Sequence, residues 1–368
     1  MKKRVAIFLL AVLFLVPLIP GIASAADALT VTSASVQVDF PASITFNISA
    51  RSDADIRDIR LHYTVERMDF ANIISEVVVG FQPGKTVTAS WFWDMRRTGG
   101  LPPGTGVSYW WTVRDAAGKT VETLPDRLVT SDNRYTWHTK QQGKITLYWY
   151  KGDESFAAEL MDAAQQALGR LSENSGASLE KPASIYIYAS ANDLQGSMIF
   201  PQEWTGGVAF SQHSTIAIGI APTTSDIAWG KRAIAHELTH LVVHQVIHNP
   251  YNDLPVWLDE GLAMSSEGGL EDYFVAALAK AERDGNFISV RSLASPFSAY
   301  SDISILSYAE SYKIVAYLID EYGRQKMYEL LDTFRKGSGY DQALESVYGF
   351  DMDDLNLLWQ EASGITVH

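Results

Sequence analysis

The chain contains no cysteine in 368 residues. That excludes a disulfide framework, a cysteine nucleophile, a thiolate metal site and an acylated lipoprotein cysteine. Any metal must be held by His, Asp or Glu. Cations are also scarce: 29 Lys and Arg stand against 43 Asp and Glu, for a net charge of −14. A nucleic-acid partner is disfavoured by that balance. Long apolar runs are missing too, except at the start of the chain, where Lys2, Lys3 and Arg4 precede an apolar stretch from Val5 to Ile19 and the small residues Ala23, Ser24 and Ala25. This order is that of a secretory signal over residues 1–25, cleaved after Ala25, and it predicts an exported protein, extracellular or in the cell envelope. An uncleaved anchor is the minor alternative, because the run is short for a span and is broken by Pro17 and Pro20. Removing the segment takes away three cations and no acid, so the charge falls from −14 to −17. The roughly 340 residues that remain suffice for two domains with full cores.

Two kinds of pattern follow. From 28 to 134, short alternating runs such as ASITFNISA, IRDIRLHYTVE and GVSYWWTV are separated by the turn signals QPGK, LPPGTG and DAAGK. Seven strand candidates at this spacing predict an antiparallel β-sandwich over 26–138. Within it, PPGTGVSYWWTVRDAAGK resembles the later strands of immunoglobulin-like or fibronectin type III modules. Trp91, Trp93, Trp110 and Trp111 are assigned to its core rather than to a ligand platform.

Residues 139–368 have a different character. KITLYWY, SIYIYAS and STIAIGIAP signal strands, ESFAAELMDAAQQALGRLSENSG signals a helix stopped by glycine, and helices are predicted around 228–248, 255–267, 270–284, 307–322, 324–336 and 351–363. Strands first and helices later give an α+β fold. The acidic DMDD at 351–354 lacks the spacing of a calcium loop and is assigned to a helix start, where carboxylates favour the dipole.

The chemistry is concentrated in IAHELTHLVVHQVIH, residues 234–248. His236-Glu237-Leu238-Thr239-His240 fits H-E-x-x-H, and its apolar surroundings predict a buried helix. Burying His, Glu and His there costs several kcal/mol unless each is paired or ligates a metal, and two imidazoles one turn apart can share a zinc ion. His244 is eight residues from His236, about 12 Å along a helix, too far to share the ion. It is assigned a supporting or structural role, and His248 a helix-end position favoured by the C-terminal dipole. A third ligand must come from elsewhere. PVWLDEGLAMSSEG should resume as a helix after Pro255, and Glu260 lies on it, with the small Gly261 and Ala263 allowing close approach to the first helix. Two histidines and one carboxylate leave a position open for water.

H-E-x-x-H followed after nineteen residues by E-x-x-A (Glu260 to Ala263) resembles the gluzincin zinc metallopeptidases. The tail from SYAESYKIVAYLIDEYG to DMDDLNLLW is similar to the C-terminal helices of the peptidase MA-like branch. The resemblance covers about 140–365 and implies a zincin-like domain holding one Zn2+ per chain through His236, His240 and Glu260, with Glu237 as the catalytic carboxylate. Zinc would polarise the scissile carbonyl and acidify its water, and Glu237 would carry the proton to the leaving amine. Related enzymes place a Tyr or His on a later helix to stabilise the oxyanion, which makes Tyr308 the candidate beside its reading as a packed helix tyrosine. Glu267, seven residues after Glu260, is either a solvated helix-end carboxylate or the orienter of a zinc-bound histidine. STIAIGIAP is either an interior strand or one that pairs with an extended peptide.

The expectation is therefore a secreted zinc metallopeptidase acting on a peptide or protein substrate. A non-catalytic extracellular zinc-containing binding or adhesion protein and a zinc hydrolase of a non-peptide bond are the alternatives. No span is expected in the mature chain, and oligomeric state is not legible.

Overall fold

A computed structural model describes residues 29–202, 205–251 and 253–363. The proposed export signal lies outside the described residues. Among those described, no helix is long and apolar enough to cross a membrane.

Seven antiparallel strands come first: β1 (Thr30–Asp39), β2 (Ser43–Val65), β3 (Ser75–Val78), β4 (Gly84–Asp94), β5 (Gly106–Asp115), β6 (Thr120–Glu122) and β7 (Asp126–Val129). The number matches the seven sequence runs, but by two offsetting differences. ASITFNISA and IRDIRLHYTVE join into the single strand β2, while TVETLPDRL divides into β6 and β7. The join is possible because 52–55 holds no Gly or Pro and stays extended, with a register shift between Arg51 and Ile56. At that offset the Ser52 hydroxyl donates to Asp115 at 2.7 Å, satisfying two buried polar groups. The first half of β2 pairs with β1 and β4, and the second with β3 and β5. Alternate residues of β2 and β5, among them Phe46, Ile48, Ile59, Leu61, Trp111 and Val113, fill the core. Of the four tryptophans assigned to it, Trp93 and Trp111 are buried and Trp91 packs against it. Trp110 is not among the residues of this core; it faces outward and stacks on His62 at 5.3 Å.

The second sheet runs in the order β11-β12-β10-β9-β8, from β8 (His138–Gln142), β9 (Ile145–Trp149), β10 (Ala183–Tyr188), β11 (Gly207–Phe210) and β12 (Thr215–Gly219). β9, β10 and β12 are mutually parallel, and β8 and β11 run antiparallel at the edges. STIAIGIAP therefore forms an interior strand, β12, and the edge beside it belongs to β11. Helix α1 (Glu154–Ser175) crosses from β9 to β10; Asp153 caps its start by accepting from the Phe156 N–H at 2.9 Å, and Gly176 at φ 72° ends it. Then come α2 (Ala191–Gln195), α3 (Thr224–Val246), α4 (Val256–Ser266), α5 (Asp272–Asp284), α6 (Val290–Leu293), α7 (Ser301–Arg335), α8 (Tyr340–Tyr348) and α9 (Met352–Ala362). Gly323, at φ 78° and ψ 167°, breaks α7 into the two helices the periodicity predicted. Asp351 caps α9, as the DMDD assignment required.

Helices α1, α3, α4 and α7 cover one face of this sheet in a single apolar core. The other face carries Tyr148, Tyr150, Tyr186 and Tyr188, covered by Tyr135 and Trp137. Asp132, fully buried, accepts from Arg134 at 2.6 Å and from the Tyr188 hydroxyl at 3.1 Å, tying 132–137 to this sheet. The β2–β3 connection reaches the second half of the chain as well: the Met68 N–H donates to the carbonyl of Gln212, between β11 and β12, at 2.7 Å, and Phe70 stacks on His248, just past α3, at 4.0 Å. His248 directly follows Ile247, the C-cap of α3, at the helix end assigned to it, and burial, then Lys181, lowers its pKa.

Candidate metal centre

Helix α3 starts at Thr223, whose hydroxyl accepts from the Asp226 N–H, and its apolar residues Ile234, Leu238, Leu241, Val242 and Val243 lock it into the core. That burial fixes the rotation of the helix and turns His236 and His240 toward α4. Helix α4 begins after Pro255 and carries Glu260 inward. It lies close to α7: an added Cβ on Gly261 would sit 2.4 Å from the Ser311 carbonyl oxygen and 2.5 Å from Val315 Cγ2. The small residue therefore serves contact with α7, not the approach to α3 expected from the sequence.

His236, His240 and Glu260 converge. The two Nε2 atoms are 3.1 Å apart, and Glu260 Oε2 is 3.2 Å from one and 3.5 Å from the other. Both Nδ1 atoms face carboxylates, Glu267 Oε1 at 2.9 Å from His236 and Asp259 Oδ1 at 3.0 Å from His240. The His236 Nδ1–H donates to Glu267, while His240 Nδ1, Asp259 Oδ1 and Glu260 Oε2 are all buried without a hydrogen-bond partner; with each Nδ1 turned to its carboxylate, both Nε2 atoms present lone pairs toward Glu260 Oε2. Three facing lone pairs repel unless a cation lies among them. The spacing suits zinc, since tetrahedral ligands at about 2.0–2.1 Å from an ion stand about 3.3 Å from one another. Protons compete for the same place. Burial opposes a charge on His236, but Glu260 and Glu267 outweigh it and push its pKa up to about 9, while burial raises Glu260 less than His240 and His236 lower it, to about 2. Metal binding must release that proton.

A second ring of contacts holds these ligands. Arg232 pairs with Glu267 at 2.8 Å, and His244 Nε2 donates to Asp259 Oδ2 at 3.1 Å. Glu267 is thus nearly buried against His236, and its reading as a solvated helix-end carboxylate is corrected, because the end of α4 lies over α3 instead of in water. His244 supports His240 through Asp259, consistent with its assigned supporting role. Sequence reasoning missed Asp259 and Arg232. Their signals were present: Asp259 immediately precedes Glu260, and Arg232 lies one helical turn before His236 on the same face.

Glu237, which shares a cavity wall with His236, reaches β11, where Gly207 leaves room for it; a Cβ on Gly207 would lie 3.2 Å from its Oε1. Burial raises its proton affinity, moderated by His240 and His236. Tyr308, on α7, has its ring 6.4 Å from that of His236 and 5.1 Å from Phe297. Burial, followed by the charges of Glu260, Glu237 and Glu267, raises its pKa, so the hydroxyl stays a donor.

Residues 163–363 match the family model of the peptidase MA superfamily. No curated protein matches the chain. Among solved structures, a two-domain M1 zinc metallopeptidase bound to L-arginine is 12% identical over 88% of this chain and 91% of its own, with a TM-score of 0.39. An aminopeptidase N family protein from Idiomarina loihiensis is 11% identical over 87% of this chain and 73% of its own, and Legionella pneumophila aminopeptidase A, in complex with aspartic acid, is 11% identical over 90% and 50%; both have TM-scores of 0.39.

Proposed function

The chain belongs to the peptidase MA superfamily, whose match spans more than half of it, and from that premise we propose that it is a secreted, zinc-dependent metallopeptidase with His236, His240 and Glu260 as ligands. The observation that carries the proposal is the convergence of three lone pairs, each braced from behind by a carboxylate or by a helix packed without space.

The chain's own groups divide the work. Glu267 and Asp259 hold the two imidazoles in the tautomer that offers Nε2 to the ion. Glu237, next to the ligands but outside their triangle, takes a proton from the attacking water and delivers it to the departing amine; its burial raises its proton affinity toward that of a competent base. Tyr308 keeps its proton and donates to the developing oxyanion. Zinc, when bound, supplies Lewis acidity to the carbonyl and to water. Residues 26–138, with an immunoglobulin- or fibronectin-like character suggested by their strand pattern, serve as an accessory module, and the segment ending at Ala25 directs export.

The test is Glu237→Gln in zinc-loaded protein. It should keep one zinc per chain and lose peptide hydrolysis by about 10²–10⁴-fold, the usual worth of a general base. Undiminished hydrolysis in that variant would overturn the mechanism.

A further inference from the structure

The proposed metal ligands do not sit at the end of a pocket. They sit between two cavities: His236 lines one, Glu260 the other, and Tyr308 both. One cavity, about 230 Å³, lies toward the C-terminal half of α4 and is walled by Trp229, Ala233, Met264 and Phe274. The other, about 770 Å³, lies at the N-terminal end of α4 and is walled by Val256, Pro296, Phe297, Ser301 and Ser304. From Val256 in one to Glu267 in the other the helix rises about 16 Å. An extended peptide covers that distance in about five residues at about 3.3 Å each.

We propose that this site cuts bonds within a polypeptide, with substrate residues bound on both sides of the scissile bond, and that it does not remove single terminal residues. The proposal rests on the peptidase reading above. Trimming an end requires a charge that holds a terminal ammonium or carboxylate near the ligands. On the larger cavity, among the described residues, the only side chains able to carry charge are Glu260, committed to the two histidines, and Tyr308, which keeps its proton. On the smaller one each charge is already engaged: Arg232 is shared between two carboxylates, Glu267 at 2.8 Å and Glu271 at 3.7 Å, the Tyr273 hydroxyl donates to Glu271 at 3.2 Å, and Glu237 is the proposed base. Beside these engaged groups, apolar walls and neutral hydroxyls face substrate side chains on either side. For the backbone the site offers the edge strand β11, which among the described strands pairs with β12 alone and passes Gly207 beside Glu237. A free strand edge binds extended chain at any point along its length.

The experiment compares two substrates with zinc-loaded protein: an internally quenched peptide long enough to fill both cavities, acetylated and amidated at its ends, and a panel of aminoacyl coumarin amides with free amino groups. The expected result is internal cleavage of the blocked peptide, located by mass spectrometry, with kcat/KM at least about tenfold above that for the amides, a difference of about 1.4 kcal/mol in transition-state binding. Shortening the blocked peptide until it reaches only one cavity should lower kcat/KM. Release of coumarin with the blocked peptide left intact would overturn the inference while leaving the peptidase reading standing. Hydrolysis of neither substrate would overturn both.

Discussion

Gly261→Ala tests how the third ligand is held in place. In an open helix the change is favourable by up to about 1 kcal/mol. Here the new methyl would lie 2.4 Å from the Ser311 carbonyl oxygen and 2.5 Å from Val315 Cγ2. Ordinary carbon contacts start near 3.4 Å, so α4 must withdraw from α7 by about 1 Å. The Val315 methyl can rotate away, but the carbonyl belongs to the α7 backbone, so the steric cost of about 1–3 kcal/mol outweighs the gain in propensity. Asp259 and Glu260 are carried on the same turn, and Glu260 Oε2 stands 3.2 and 3.5 Å from its two partners, with no slack for such a shift. Zinc affinity, read by competition with a chromogenic chelator, should fall by at least about 10–100-fold, the usual effect of losing support behind a ligand. Thermal unfolding should also move down. Gly169→Ala on α1, where an added Cβ meets nothing within 4 Å, is the control and should be neutral or stabilising. Unchanged zinc affinity in Gly261→Ala would refute the idea that the α4–α7 contact sets the position of Glu260.

Three further outcomes follow from the same contacts. Glu267→Gln should weaken zinc binding by about 10–100-fold, since it no longer braces His236 with a charge, and direct metal analysis after dialysis measures this. Tyr308→Phe should keep zinc and fold while kcat falls by about 10²-fold with KM little changed, as for loss of one oxyanion donor; a matching rise in KM alone would assign Tyr308 to substrate packing. Glu310 is buried on α7 where, among the described residues, only the Ile288 N–H donates to it, at 3.1 Å, and burial pushes its pKa up to about 8 from an ordinary 4.5. Its folded-state pKa is raised, so its stabilising contribution is complete below about pH 4.5 and is lost as the pH rises toward 8. The loss is on the order of 5 kcal/mol at most, at about 1.4 kcal/mol per pH unit. Glu310→Gln should flatten the fall of the urea midpoint between pH 5 and 8.

Much of this protein was legible one element at a time. H-E-x-x-H on an apolar helix named His236 and His240 because helical spacing alone puts residues four apart on one face, and helix rise alone set His244 and His248 too far away. Glu260 was legible because a proline-initiated helix that carries it follows within reach. Alternation and turn residues marked the strands before 134, and the glycine at 176 and the acids at 351–354 marked helix boundaries. All of these signals act over a few residues of chain.

The tertiary structure decided the relations between elements. That β2 runs unbroken through 52–55, that β12 is interior and β11 at the edge beside it, and that Gly261 serves α7 all depend on which neighbour arrives from far along the chain. The same holds for Glu267, which any helix end could show to water until α3 lies across it, and for Asp259, whose two histidine partners come from another helix. Residue type and local period determine what a side chain can do. Only packing between distant segments determines what it does it to, because burial, charge pairing and ligand distance are properties of pairs that the linear order does not place together.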